Sequence, residues 1–163
     1  MEAHTMKHYK APWGTSLVVM SSVISVLCLG ITIGTVWQGH GLHAWVGLLP
    51  FGIIVGSVLF TIRGYTITSD AILVHRLFWA TRVPLAGLKS AQFKPDAMRR
   101  SIRTFGNGGS FSFAGWFCNR TLGSYRAFVT DPHRTVVLHY ADRTVVVSPD
   151  EPEDFIRNLA ITS

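Results

Sequence analysis

From Thr15 to Ile62 the chain contains no Asp, Glu, Lys or Arg. That absence excludes a pair of ordinary surface helices, which need a polar side facing water, and 163 residues cannot build a soluble core large enough to hide two helices apolar all round. Cysteine is scarce as well. Cys28 lies in the uncharged part and Cys118 beyond it, so a bridge between them is geometrically excluded, and such sparse use fits a reducing compartment. Acidic residues number nine against 15 Lys and Arg, for a net charge of +6. No Gly-Lys-Ser/Thr phosphate loop, HExxH pair, nucleophile elbow or acidic dyad occurs, and Ser110, Cys118, His133 and His139 are only scattered members of a triad. An enzyme is therefore not expected.

What is present begins with two apolar runs, Thr15–Trp37 and Leu42–Ile62. Each exceeds the ~18 residues at which a membrane span is the default reading, and at about 1.5 Å per residue each reaches across a ~30 Å hydrocarbon core. Trp13 and Trp37 stand 24 positions apart, as indoles resting at two interfaces would. A secretory signal is the other reading of the first run, but a retained span is expected, because a signal's apolar part is only about 7–15 residues long and ends in a small-residue cleavage site. Gln38, Gly39, His40 and Gly41 alone separate the runs, so an antiparallel transmembrane hairpin is predicted. Lys7, Lys10 and Arg63 flank it, and the positive-inside rule then puts both termini in the cytoplasm, at the inner membrane. The expected division is a tail (1–14), a hairpin (15–62) and a cytoplasmic domain (63–163).

Gly30 with Gly34 and Gly52 with Gly56 form two GxxxG pairs, expected to pack the two spans together or, second, two copies of the chain. Pro50 is expected to bend the second span. No ionisable side chain stands at mid-span, which argues against an ion path. His40 and His43 lack any Cys, Asp or Glu companion, so they are interfacial histidines, and no metal or other cofactor is expected.

The segment from Arg63 to Ser163 carries 13 Lys and Arg against 8 Asp and Glu and alternates short apolar runs with polar breaks. Period-2 alternation predicts strands at 63–68, 71–76, 78–83, 88–93, 124–130, 135–140 and 144–147. Ser148 and Glu151 are spaced as a capping box, Pro149 suits the first helical position, and Phe155, Ile156, Leu159 and Ala160 share a helical face. Pro152 leaves the start of that helix open by a turn.

Three features are candidates for function. Gly106, Asn107, Gly108 and Gly109 form a loop whose amides could turn toward an anion, although a purely conformational role, folding Phe105, Phe111, Phe113, Trp116 and Phe117 inward, is the plainer reading. Those five rings within thirteen residues are the second feature: core, or, where exposed, a lipid or subunit surface. The third is a basic set, Lys94, Arg99, Arg100 and Arg103 with Arg63, and Arg120 and Arg126 beyond. Near an anionic leaflet each such charge adds about 1 kcal/mol of attraction. A net charge this small, with no basic stripe, does not support nucleic-acid binding.

The pair of runs, the hairpin Tyr65–Val74, the stretch Arg103–Gly109 and the ending Val146–Ile156 together resemble bacterial membrane-anchored pleckstrin-homology-like proteins. The resemblance covers residues 63–161. It implies a mainly β (α+β) domain: a seven-stranded antiparallel sandwich or half-open barrel plugged by a C-terminal helix. Phosphoinositide-binding members of the wider fold use a long basic loop between the first two strands; here that loop is Ser69 and Asp70, so this ligand does not carry over. The expected function is a non-enzymatic binding or scaffolding module whose partners are membrane lipids, a protein, or a second copy. The alternatives are a membrane-bound enzyme using Gly106–Gly109 as an anion site, and a small accessory subunit of a transport complex.

Overall fold

A computed structural model of the chain describes residues 7–38, 46–108 and 111–162. The elements are β1 (Lys7–Lys10), α1 (Thr15–Gln38), α2 (Leu49–Leu59), β2 (Gly64–Ile67), β3 (Ala71–His75), β4 (Ala80–Pro84), β5 (Leu88–Phe93), β6 (Ile102–Gly108), β7 (Phe113–Asn119), β8 (Gly123–Val129), a 3-10 turn (Pro132–Arg134), β9 (Val136–Tyr140), β10 (Thr144–Val147) and α3 (Pro152–Thr162). They form a four-stranded sheet, β1-β2-β3-β4, and a six-stranded sheet, β5-β9-β10-β8-β7-β6. All described pairings are antiparallel except β8 with β10.

The alternation in β2 and β3 does what period-2 patterning requires, sending Tyr65, Ile67, Ile72 and Val74 into the space between the sheets. There they meet Phe128, Leu138 and Val147, and Phe155 and Leu159 of α3 close the end. The Tyr65 hydroxyl, fully buried, donates to the Phe128 carbonyl at 2.6 Å and accepts from the Ser148 amide at 3.2 Å. Burial pushes its pKa up to about 12. A second cluster, with Phe117, Tyr125, Val137 and Val146, lies on the other face of the six-stranded sheet under the 94–101 connection.

The expected sandwich and capping helix are present, with three more strands than predicted. Six of the seven predicted segments match within one residue at each end, and the seventh, Phe78–Val83, begins two residues later at Ala80, a normal boundary error. β6 and β7 come from the stretch expected to be a glycine and aromatic loop. Gly106 faces Gly115 across the ladder, and a Cβ on Gly106, whose φ is +105°, would lie 2.5 Å from the Ala114 carbonyl oxygen. The glycines are there because two backbones come too close for side chains, not because the chain turns. β1 is formed by residues expected to be tail, and pairs Tyr9 with Tyr65.

α3 starts at Pro152, a turn later than the Ser148 capping box implies. Ser148 is engaged elsewhere: its Oγ accepts from the Thr130 amide at 2.8 Å, inside the sandwich. The first turn of α3 is closed by the Phe155 amide donating to the Glu151 carbonyl at 2.9 Å.

The second predicted span opens at Leu42, and residues 42–45 lie outside the described residues. Among the described residues α1 is the one helix long and apolar enough to cross a membrane. α2 has 11 residues, which at 1.5 Å each span about 16 Å, half of a ~30 Å hydrocarbon core. Pro50 sits in its first turn, where a missing N–H costs nothing, and so starts the helix instead of bending it. Gly39, His40, Gly41 and His43 lie outside the described residues. Nothing stands within 4 Å of where a Cβ would be on Gly30, Gly34, Gly52 or Gly56, so these GxxxG faces are open within the chain. The helices approach at Gly47, where a Cβ would collide with the Thr35 side chain.

Both ends of the helix pair are fastened to the sandwich. The Gly14 amide donates to the Thr130 carbonyl at 3.1 Å, and the Ala11 amide to the Arg63 carbonyl at 3.3 Å. The Phe111 amide donates to Ser21 Oγ at 2.9 Å, one turn and a half into α1, and Ser112 Oγ donates to the Phe60 carbonyl, at the end of α2, at 3.0 Å.

Candidate functional site

These fasteners define one end of the domain, where α1 begins, α2 ends, the β6–β7 hairpin rises and the β3–β4 turn protrudes. It is lined by rings. Trp13 meets Phe111 edge-on at 6.0 Å between centroids, and Phe60 meets Trp79 at 5.4 Å. The β3–β4 turn carries Leu77, Phe78 and Trp79, all exposed, Phe78 to 76%. Three consecutive large apolar side chains in a turn are the reverse of the polar residues such a position ordinarily holds.

Arg76 enters β3's end beneath that turn. Its guanidinium lies 5.4 Å from the Phe60 ring centroid, 5.9 Å from Trp79 and 5.7 Å from Phe128. Nη1 donates to the Phe60 carbonyl at 3.1 Å and Nε to Thr81 Oγ1 at 3.3 Å. Arg126, on β8, stacks on the same Phe128 ring at 4.9 Å. Burial first, and then the Arg126 charge, hold the Arg76 pKa below the ordinary arginine value. Among the described residues neither arginine has a carboxylate partner, whereas Arg82, Arg134 and Arg157 each pair with an aspartate. Register sets Trp116 opposite Arg126 and Phe105 opposite Trp116, so one face of the six-stranded sheet continues outward from the arginines as exposed aromatic surface.

The basic residues singled out from sequence fall into separate groups. Arg99 and Arg103 line a hollow of about 360 Å³ beside Ser16, in the first turn of α1, together with Asp96 and His133. His133 Nδ1 is 2.9 Å from Asp96. Lys94 and Arg100 edge a second hollow, of about 290 Å³, that also touches Asp96 and Arg99. Arg103 folds back, donating to the Gly106 carbonyl at 3.1 Å. Arg63, between α2 and β2, is exposed and takes no part in either group. Gly106, Asn107 and Gly108 are in the β6 ladder, and Gly109 lies outside the described residues. Among the described residues no three His, Cys, Asp or Glu gather as metal ligands.

A family model described as Bacterial PH domain matches residues 63–162. The chain belongs to that family. No curated protein and no solved structure matches it. The matched PH domain starts just before β2 and ends with α3, so the four-stranded sheet is completed by β1, a strand from outside the matched region. Its β2–β3 turn is short, and Asp70 there pairs with Arg82 and accepts from Thr68.

Arg76 and its ring cage escaped the sequence reading because Phe60, Thr81, Arg126 and Phe128 come together only in the fold. The one legible sign was Leu77–Trp79, large apolar residues where a hairpin turn was due.

The outer face of the PH domain's first sheet bears a histidine pair. Thr66 Oγ1 is 3.0 Å from His8 Nδ1 and 2.8 Å from His75 Nε2. Burial, and then the nearness of His8, lower the His75 pKa from 6.5. A histidine that is harder to protonate when folded leaves stability unchanged above its unfolded pKa and reduces it as pH falls below, because the unfolded chain then holds the extra proton. Thermal unfolding from about pH 8 to about pH 5 should show such an acid loss, smaller in His75→Gln. An identical pH profile in the variant would contradict it.

Proposed function

We propose that the protein is a membrane-tethered, non-enzymatic binding module: α1 enters the bilayer, and the PH domain is held against the cytoplasmic surface as a platform for a partner. Family membership supports a binding or scaffolding role. The observation that carries the tether is the union of helix pair and sandwich. From Ser22 onward α1 has no buried residue, offering an apolar surface that water would not solvate, while its first two turns are locked to the domain by the Gly14 and Ser21 hydrogen bonds and the buried Leu17. A tether fastened in this way presents one end of the domain to the bilayer and removes much of the orientational freedom that a partner at the membrane would otherwise forfeit. Lys7, Lys10 and Arg63 fall on one side of the helices, the distribution expected for a cytoplasmic face.

Fractionation tests this. The full chain should pellet with membranes, resist alkaline carbonate and be released by detergent; recovery in the soluble fraction overturns the tether.

A further inference from the structure

Resting on that tethered reading, we propose that Arg76 and Arg126 together form a seat for the phosphate of an anionic phospholipid headgroup, with the Leu77–Phe78–Trp79 turn lodged in the interfacial layer beside it. Two cations sharing the Phe128 ring repel each other, and no described carboxylate offsets them. The half-buried Arg76 charge, with the exposed Arg126 charge beside it, favours an anion that can accept several N–H groups at once, and phosphate matches the planar guanidinium in a way a carboxylate-free protein surface does not. Arg76 commits only Nη1 and Nε to the described hydrogen bonds, so donors remain.

The neighbours select lipid over a free anion. Phe60 caps α2, and its ring touches both Trp79 and Arg76, so the seat adjoins the apolar helix pair directly. Phe78 is 76% exposed at the tip of the turn, and Phe105 is equally exposed on β6. A soluble phosphate ester would gain nothing from these rings, whereas a lipid places acyl chains against them and its headgroup between the arginines.

The test uses the full chain in detergent micelles, titrated with short-chain phosphatidylglycerol, short-chain phosphatidylcholine or inorganic phosphate, and read by thermal shift. Phosphatidylglycerol should stabilise the chain well above the other two, and Arg126→Gln, an exposed position, should weaken its apparent affinity about tenfold. Arg76→Gln should do the same, and if that variant fails to fold Arg126→Gln still decides. Phe78→Ser should weaken the phosphatidylglycerol response and leave that to inorganic phosphate unchanged. Equal responses to the two lipids, an equal response to inorganic phosphate, or an unaltered Arg126→Gln would overturn the headgroup seat. A chain that fractionates with membranes but shows one of these outcomes loses the seat and keeps the tether; a soluble chain loses the tether.

Discussion

Phe155→Ala is expected to lower the stability of the folded chain by about 3–5 kcal/mol. The ring is completely buried where α3 closes the sandwich, edge-on to Tyr9 at 5.0 Å and to Tyr65 at 6.3 Å between centroids. Truncation removes the stopper on which both sheets and the helix converge, and strands stitched by ladder hydrogen bonds cannot collapse to fill the hole. Thermal or denaturant unfolding of the full chain in detergent reads the loss, and Phe155→Leu should recover much of it. A loss below about 1 kcal/mol would mean that α3 is not a structural part of the core.

Tyr9→Ala should cost nearly as much, about 3–4 kcal/mol, and Tyr9→Phe only about 1 kcal/mol. Tyr9 is 2% exposed, its ring packs on Phe155, and its hydroxyl donates to Asp154 at 2.8 Å while accepting from Asn158 at 2.8 Å. Burial, and then the hydrogen bond to Asp154, push the phenol pKa above its ordinary value; the Lys7 ammonium, and then Tyr9, hold the Asp154 carboxyl below the usual carboxylate range. The alanine variant loses ring and hydroxyl together, so β1 should detach and expose Lys7 and Lys10 to trypsin. Equal losses in the two variants would assign the effect to the hydroxyl alone, against the packing that the fold shows.

Both predictions concern residues whose importance the sequence conveyed unevenly. Phe155 was legible, because it falls on the apolar face of a helix with Leu159 and follows a proline that starts it. Tyr9 was not, because a four-residue segment with a lysine at each end looks like a solvated tail until β2 lies alongside it. The β6–β7 hairpin was hidden for another reason: glycine lowers strand propensity, and only the opposing Gly115 shows why Gly106 is needed. Ser148 had the spacing of a helix cap but serves the Thr130 amide, since a buried backbone donor inside the sandwich has a stronger claim on its oxygen than an exposed helix end. In the candidate site Arg126 was visible as one basic residue among many, and Arg76 was not distinguished at all.

By itself the sequence determined a charge-free apolar N-terminal part, a PH-type succession of strands and a closing amphipathic helix, because each depends on side-chain periodicity within one short segment. Only the tertiary structure decided that Lys7–Lys10 of the tail is a strand, that among the described residues α1 alone has the length of a span, that four glycines are open within the chain, and that two arginines share one phenylalanine ring. Those outcomes depend on contacts between residues tens of positions apart, for which local pattern carries no signal.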